Sequence, residues 1–440
     1  MTRLNKVLFS LISISLFFIS DDAEGQLLPE AAKPQSEPML LSGGRVHTGE
    51  GTVLDNTTVG FKDGKITYVG KLEDAGSEFN DYKIIDVSGQ HIYPGFILAN
   101  SLIGIEEISG VPHSNDKLEE GDMNPSLKTV FAFDTGSEHI PTLRYNGILM
   151  VETIRSGGLI SGTSAVMELD GRSWQEAVFV EEAAIHLYWP SAQSSSYDAK
   201  TKTRRIKKNK TYASKLSQLH ELFTQASSYG TIADKKTNLK LESLQGLFSG
   251  NKRLAIHAGE PKEIIEAVEF AQAHGVQKIF LVTSYSALSV KDFLKENNIP
   301  VILPPTYAYP RSDDMHYDAY YRLPYLLSKE GLIVALSHTG MLSTSRNLPF
   351  YAGTAAAFGM DREAALQLIS LNPAKILGID GRVGSIRVGK DATLFVSKGD
   401  ALDVQANSLS MAFIQGKNIT LDGPHQELFK RYSQQFEHGK

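Results

Sequence analysis

The sequence predicts an α/β protein: a (β/α)8 TIM barrel joined to a composite β-sandwich built from both ends of the chain. Its 440 residues, 42% of them apolar, exceed one small domain and suit a barrel with an accessory domain. The middle of the chain alternates apolar runs of strand length with helical stretches, the pattern of a parallel sheet. Both ends are instead rich in short strands separated by glycine turns.

At the N-terminus, Arg3 and Lys6 precede an apolar run from Val7 to Ile19, too short to span a bilayer, and Ala23-Glu24-Gly25 offers a small-residue cleavage site. Residues 1–25 are therefore expected to be a signal peptide. The protein would be exported, to the periplasm in a Gram-negative cell and otherwise secreted. Residues 26–38, with Pro29, Pro34 and Pro38, read as a flexible leader.

Residues 39–95 and 377–422 are assigned to the sandwich. Thr57 to Phe61 and Ile66 to Gly70 flank Asp63-Gly64, a strong hairpin turn signal. Residues 96–376 are assigned to the barrel, with strands expected at Leu254–Ile256, Lys278–Val282, Pro300–Leu303 and Leu332–Leu336. Between the first two, Ile264, Ala267, Val268 and Ala271 recur at helical spacing and Gly275 ends the run. Residues 423–440 are expected to form a helical tail. No segment after the signal peptide is apolar enough to be a transmembrane helix.

The absence of cysteine excludes disulfides, thiolate zinc sites and a cysteine nucleophile. A charged content of 21% and a net charge of −6 point away from nucleic acid as a partner. The one basic run, Lys200 to Lys210, reads as a solvated loop.

Four segments together resemble the amidohydrolase superfamily, in particular its imidazolonepropionase-like branch. They are the Gly64-Lys65-Ile66 hairpin with Gly89-Gln90-His91-Ile92-Tyr93-Pro94-Gly95-Phe96; Gly158 to Val166; Ala255-Ile256-His257-Ala258; and Asn372-Pro373-Ala374-Lys375 with Val383-Gly384-Ser385 through Gly389-Lys390-Asp391-Ala392. The resemblance implies a metal-dependent-hydrolase-type barrel whose metal-activated water attacks an amide, lactam or related carbon, with an Asp on the last strand as base. It also implies two histidines where this chain has Asn100 and Leu102, a histidine at His257, another where Thr283 or Ser284 stands, and an aspartate where Thr339 stands.

His257 is thus the candidate metal ligand. No cofactor is expected from one imidazole alone, since a hydrolytic zinc takes three or more protein ligands. Zinc is expected only if His257, His338 and His186 make a rearranged site, with a carboxylate beside them. His257 and His338 are the candidate catalytic residues; Asn100, Thr283, Thr339 and Arg346 are candidate substrate contacts, Arg346 alternatively bracing its loop. Glu106, Glu107, Asp134, Glu152 and Arg155 fall near strand ends as substrate contacts or buried ion pairs. Asp313-Asp314-Met315-His316-Tyr317-Asp318 reads as turn and cap residues on a loop walling the pocket.

Three functions remain open on this reading. One is a non-catalytic protein binding a small-molecule ligand or a homologous amidohydrolase subunit. The second is an active hydrolase of non-peptide C–N bonds with a rearranged metal site. The third is a structural subunit with a closed barrel mouth.

Overall fold

The computed structural model describes residues 30–198 and 201–437. The expected signal peptide and the first four residues of the leader lie outside the described residues. The rest of the leader is held in place: the Ala32 N–H donates to Asp170 Oδ1 (3.1 Å), Gln35 Nε2 to the Phe61 carbonyl (3.1 Å), and the Gly64 N–H to Gln35 Oε1 (3.0 Å). Residues 30–38 therefore form a strap over the sheet, not a free linker, because these backbone and amide groups find fixed partners.

Strands β1 (Met39–His47), β2 (Val53–Lys62), β3 (Lys65–Gly70), β4 (Lys83–Asp86) and β5 (His91–Pro94) open the chain. The β2–β3 turn has Asp63 at φ 49° and Gly64 at φ 76°, two successive positive angles that fit the twist of a hairpin. The chain next runs through β6 (Phe96–Ser101), β7 (Ile148–Thr153), β8 (Ile160–Thr163), β9 (Ala165–Glu168), β10 (Val178–Val180), β11 (Ala184–Tyr188), β12 (Gln193–Asp198), β13 (Thr203–Lys208), β14 (Arg253–His257), β15 (Ile279–Val282), β16 (Val301–Leu303) and β17 (Val334–Leu336). It returns to the first sheet with β18 (Leu394–Ser397), β19 (Leu409–Ile414) and β20 (Lys417–Asn418).

The first sheet has the order β20-β19-β18-β5-β1-β2-β3, with β4 also on β1. It is one sheet that bends: the first half of β1 pairs with β4, the second half with β5, and the register shifts between them. The bend brings Phe61 of β2 against Phe413 of β19, ring centroids 5.0 Å apart, although three strands separate them in the ladder. The two halves thus close on a core of Val46, Val59, Ile66, Ile92, Leu394 and Val396.

The central strands make two ladders, β10-β9-β7-β6 and β17-β16-β15-β14-β11-β8. The pairs from β11 through β17 are parallel. Two features depart from the expected barrel of eight parallel strands. The strand formed by β8 and β9, interrupted only at Ser164, runs antiparallel to both β7 and β11. Only Ile154 to Leu159 separate β7 from β8, too few residues for the crossover that a parallel neighbour requires. Among the described residues the ladders also do not close into one sheet; a single parallel bridge, Ala99 to Ser337, spans β6 and the end of β17.

Strand alternation nevertheless gives these ladders two faces. Ile97, Met150, Val166, Ala184, Ala255, Phe280, Ile302 and Ala335 meet in one interior cluster. Their sequence neighbours Leu98, Val151, Ile185, Ile256, Leu281, Val301 and Leu336 pack outward. Against that outer face lie α1 (His139–Arg144), α2 (Tyr212–Tyr229), α3 (Pro261–Ala273), α4 (Ala319–Lys329) and α5 (Leu348–Ala357). In α3, Pro261 occupies the first turn and Ile264, Ala267, Val268 and Ala271 are buried. Pro424–Glu437 forms α6 at the C-terminal end. No helix of the described residues is long and apolar enough to cross a membrane.

Candidate functional site

Two residues beyond the interior cluster, toward the C-terminal strand ends, the side chains facing inward turn from apolar to polar. Met150 is followed on that face by Glu152, Val166 is preceded by Ser164, Ala184 is followed by His186 and then Tyr188, and Ala255 by His257. Ser164, Glu152, His186 and His257 form one hydrogen-bonded chain. Glu152 Oε1 accepts from the Ser164 hydroxyl (2.8 Å) and lies 3.3 Å from His186 Nε2. Glu152 Oε2 accepts the Asn100 N–H (2.9 Å). His186 Nδ1 is 2.9 Å from His257 Nε2, and Tyr188 stacks on His257 with ring centroids 4.1 Å apart.

The contacts define a proton arrangement. An ionised Glu152 can only accept, so His186 donates through Nε2. Its Nδ1 is then an acceptor, and His257 donates through Nε2. Burial pushes Glu152 upward, but the hydrogen bonds it accepts from His186, the Asn100 N–H and the Ser164 hydroxyl outweigh it, and its pKa falls below the usual carboxylate value. Burial, with His186 beside it, drives His257 well below the ordinary imidazole value, so it is neutral. Nδ1 of His257 is the ring nitrogen of the pair that this chain does not use.

The other candidate residues are distributed differently. His338 is one residue past the inward-facing Ser337, so it points outward; it lies 3.0 Å from both the Met341 carbonyl and Thr344 Oγ1 and stacks on Tyr351 of α5. Thr283 also faces outward and donates to the Ala258 carbonyl (2.6 Å). Its neighbour Ser284 has a buried hydroxyl without a partner. Thr339 is exposed. Arg346 turns to α6, where Nη1 meets His425 Nε2 at 2.7 Å, and so braces the C-terminal helix. Asn100 sits at φ 50°, which aims its N–H at Glu152 and leaves its buried Oδ1 without a partner.

The acidic candidates on the rim act as braces. Glu106 binds Lys117 (2.6 Å), Glu107 accepts from Ser137 (2.6 Å), and Asp134 accepts the Gly136 N–H (2.8 Å). Arg155 donates to the Asp116 carbonyl (2.6 Å), and His316 pairs with Asp318. Among the described residues, no group of three or more His, Asp or Glu side chains is placed to hold a metal ion.

The inward-facing chain was missed as a unit by sequence reasoning, although Glu152, His186 and His257 were each noticed. The signal that finds it is alternation: each lies two residues past an apolar residue of the interior cluster.

A sequence profile of the amidohydrolase family matches residues 134–421, more than half of the chain. The protein belongs to the amidohydrolase family. Among solved structures, an amidohydrolase from Thermotoga maritima is 22% identical, with a TM-score of 0.75 over 87% of this chain and 99% of that one. A molinate hydrolase is 16% identical, with a TM-score of 0.52 over 88% of this chain and 95% of that one. A prolidase complexed with N-methylphosphonate-L-proline is 14% identical, with a TM-score of 0.52 over 87% and 99%. At these identities the likeness is one of fold. No curated protein sequence matches the chain.

Proposed function

We propose that this chain is an exported amidohydrolase-family protein that binds a small molecule at the inward-facing strand ends without metal-dependent hydrolysis. The observation that carries this reading is the internal use of the donor atoms. Both ring nitrogens of His186 and Nε2 of His257 are spent within the Glu152–His186–His257 chain. One free imidazole nitrogen does not make a hydrolytic zinc site, which takes three or more protein ligands. Asn100 and Leu102 at the expected histidine positions, and the outward turn of Thr283, support the same reading. His257 Nδ1 would accept a hydrogen bond from the ligand, with Tyr188 fixing the ring plane.

A second reading draws on the same chain. A buried carboxylate orienting one imidazole behind another is also how a general base is positioned. His257 would then serve a hydrolase acting on a non-peptide C–N bond, such as a lactam or N-acyl group. Elemental analysis of protein purified without chelator or His-tag, together with a turnover screen on those substrates, separates the two. Substoichiometric metal and no turnover are expected. One equivalent or more of zinc, manganese or iron, with turnover that depends on it, would overturn the first reading.

A further inference from the structure

The basic run expected as a solvated loop is instead a two-stranded arm. Among the described residues, β12 and β13 pair only with each other, in the register Gln193↔Lys208 through Asp198↔Thr203. The root of the arm is clamped. Glu263 of α3, itself buried, accepts from the Ser191 hydroxyl (2.9 Å) and the Ala192 N–H (2.8 Å), and Asn209 Nδ2 donates to the Ser191 carbonyl (2.8 Å). Beyond this root the described side chains of the arm other than Asp198 are exposed, on both faces. Tyr197 and Ile206, diagonal neighbours on one face, are 67% and 66% exposed. A free two-stranded ribbon with both edges unpaired is marginal in water and invites a partner.

Charge identifies that partner. From Gln193 to Lys210 the sequence holds five lysines, two arginines and one aspartate, six positive charges net. The whole chain is at −6, so the remainder carries −12. That remainder repels nucleic acid and anionic membrane at long range and attracts the arm of another copy. On the same rim, the loop after β6 exposes Ile108, Val111 and Leu118 beside Glu119, Glu120 and Asp122. The ion pair recorded for the described arm residues, Arg205 with Asp198 (3.4 Å), is internal to the arm.

We propose that the protein self-associates by reciprocal exchange of this arm. Tyr197 and Ile206 of one copy, with Lys208 on the same face, cover the loop after β6 in the second, and Arg205 and Lys207 on the opposite face add to the positive field that draws its Glu119, Glu120 and Asp122. A two-fold axis makes the contact twice, which closes the assembly as a dimer. Sedimentation of the purified protein at low and high salt tests this. A dimer that weakens as salt rises is expected. Arg205→Glu/Lys207→Glu/Lys208→Glu and, separately, Glu119→Lys/Glu120→Lys/Asp122→Lys should each weaken it at least about tenfold. An equimolar mixture of the two variants should restore a heterodimer, because the three substituted arm positions then meet the three substituted loop positions of opposite sign; this also controls for misfolding. A monomeric wild type at low salt, a dimer untouched by either variant, or arm-dependent binding to phosphatidylglycerol vesicles without self-association would overturn it.

Discussion

Glu152 Oε1 lies 3.3 Å from His186 Nε2, and both side chains are fully buried. The pair is the inner end of the inward-facing polar chain, and three donors converge on its carboxylate. Glu152→Ala would strand the Asn100 N–H, the Ser164 hydroxyl and a His186 N–H together. The expected loss is about 3–5 kcal/mol, as for breaking one side of a buried pair, read from urea unfolding. The depressed Glu152 pKa sets the sign with pH. Its contribution is present above the ordinary carboxylate value of 4.5 and is lost as pH falls through the lower folded value. The difference between wild type and variant should therefore narrow on acidification below that value. A variant as stable as wild type at neutral pH would show that the chain contributes nothing to the fold.

His257→Ala removes the donor to His186 Nδ1 but leaves the carboxylate end intact. The expected cost is about 1–3 kcal/mol for the acceptor left unmade. Turnover on lactam or N-acyl substrates should be absent in both proteins. If wild type proves active and the folded variant loses roughly a hundredfold or more, the magnitude is that of general-base catalysis and the second reading stands.

The strands and the hairpin turn were legible because alternation and Asp63-Gly64 are local signals. The reversal of β8 was not. It follows from the short Ile154–Leu159 connection, and seeing it requires knowing where β7 ends and β8 begins. The same uncertainty hid the site. A one-residue error in a strand moves a side chain to the opposite face, so Thr283 and His338 were grouped with His257 although they point outward. Glu152 was visible as an acid near a strand end, but its pairing with His186 crosses from one ladder to the other. Arg346 stays open in the sequence between a substrate contact and a loop brace, because the partner that takes it, His425, lies far along the chain.

Glu168, on β9, is buried against the N- and C-terminal sheet. Its carboxylate accepts from Gln415 Nε2 (2.8 Å), and burial raises its pKa to about 7 despite Gln415 and Lys417. The folded state thus holds this proton more tightly than the unfolded chain does. Stability from this group is present at pH 4–5 and declines as pH rises toward 7, with no further change above it. Glu168→Gln keeps an oxygen for Gln415 and removes the charge. The variant should match wild type near pH 5 and exceed it at pH 8 by about 2–3 kcal/mol. Parallel denaturant titrations at the two pH values check this. An equal wild-type-to-variant difference at both would show that Glu168 is not protonated in the fold.

Gly353 sits in α5 where the loop between β18 and β19 crosses the helix. A Cβ at this position would lie 2.0 Å from the Leu402 carbonyl oxygen. Helix propensity alone favours alanine over glycine by about 1 kcal/mol. The contact opposes that gain, and the obstructing atom is backbone, so no rotamer change relieves it. Leu402 is itself buried, which keeps the loop from simply lifting away. Overpacking of this kind costs about 1–3 kcal/mol and at times more, and a separation this short belongs at the upper end. Gly353→Ala should therefore lower the thermal midpoint despite its better helix propensity. A raised midpoint would mean that the β18–β19 loop yields to the methyl group and that its packing on α5 does not hold the sheet to the helical layer.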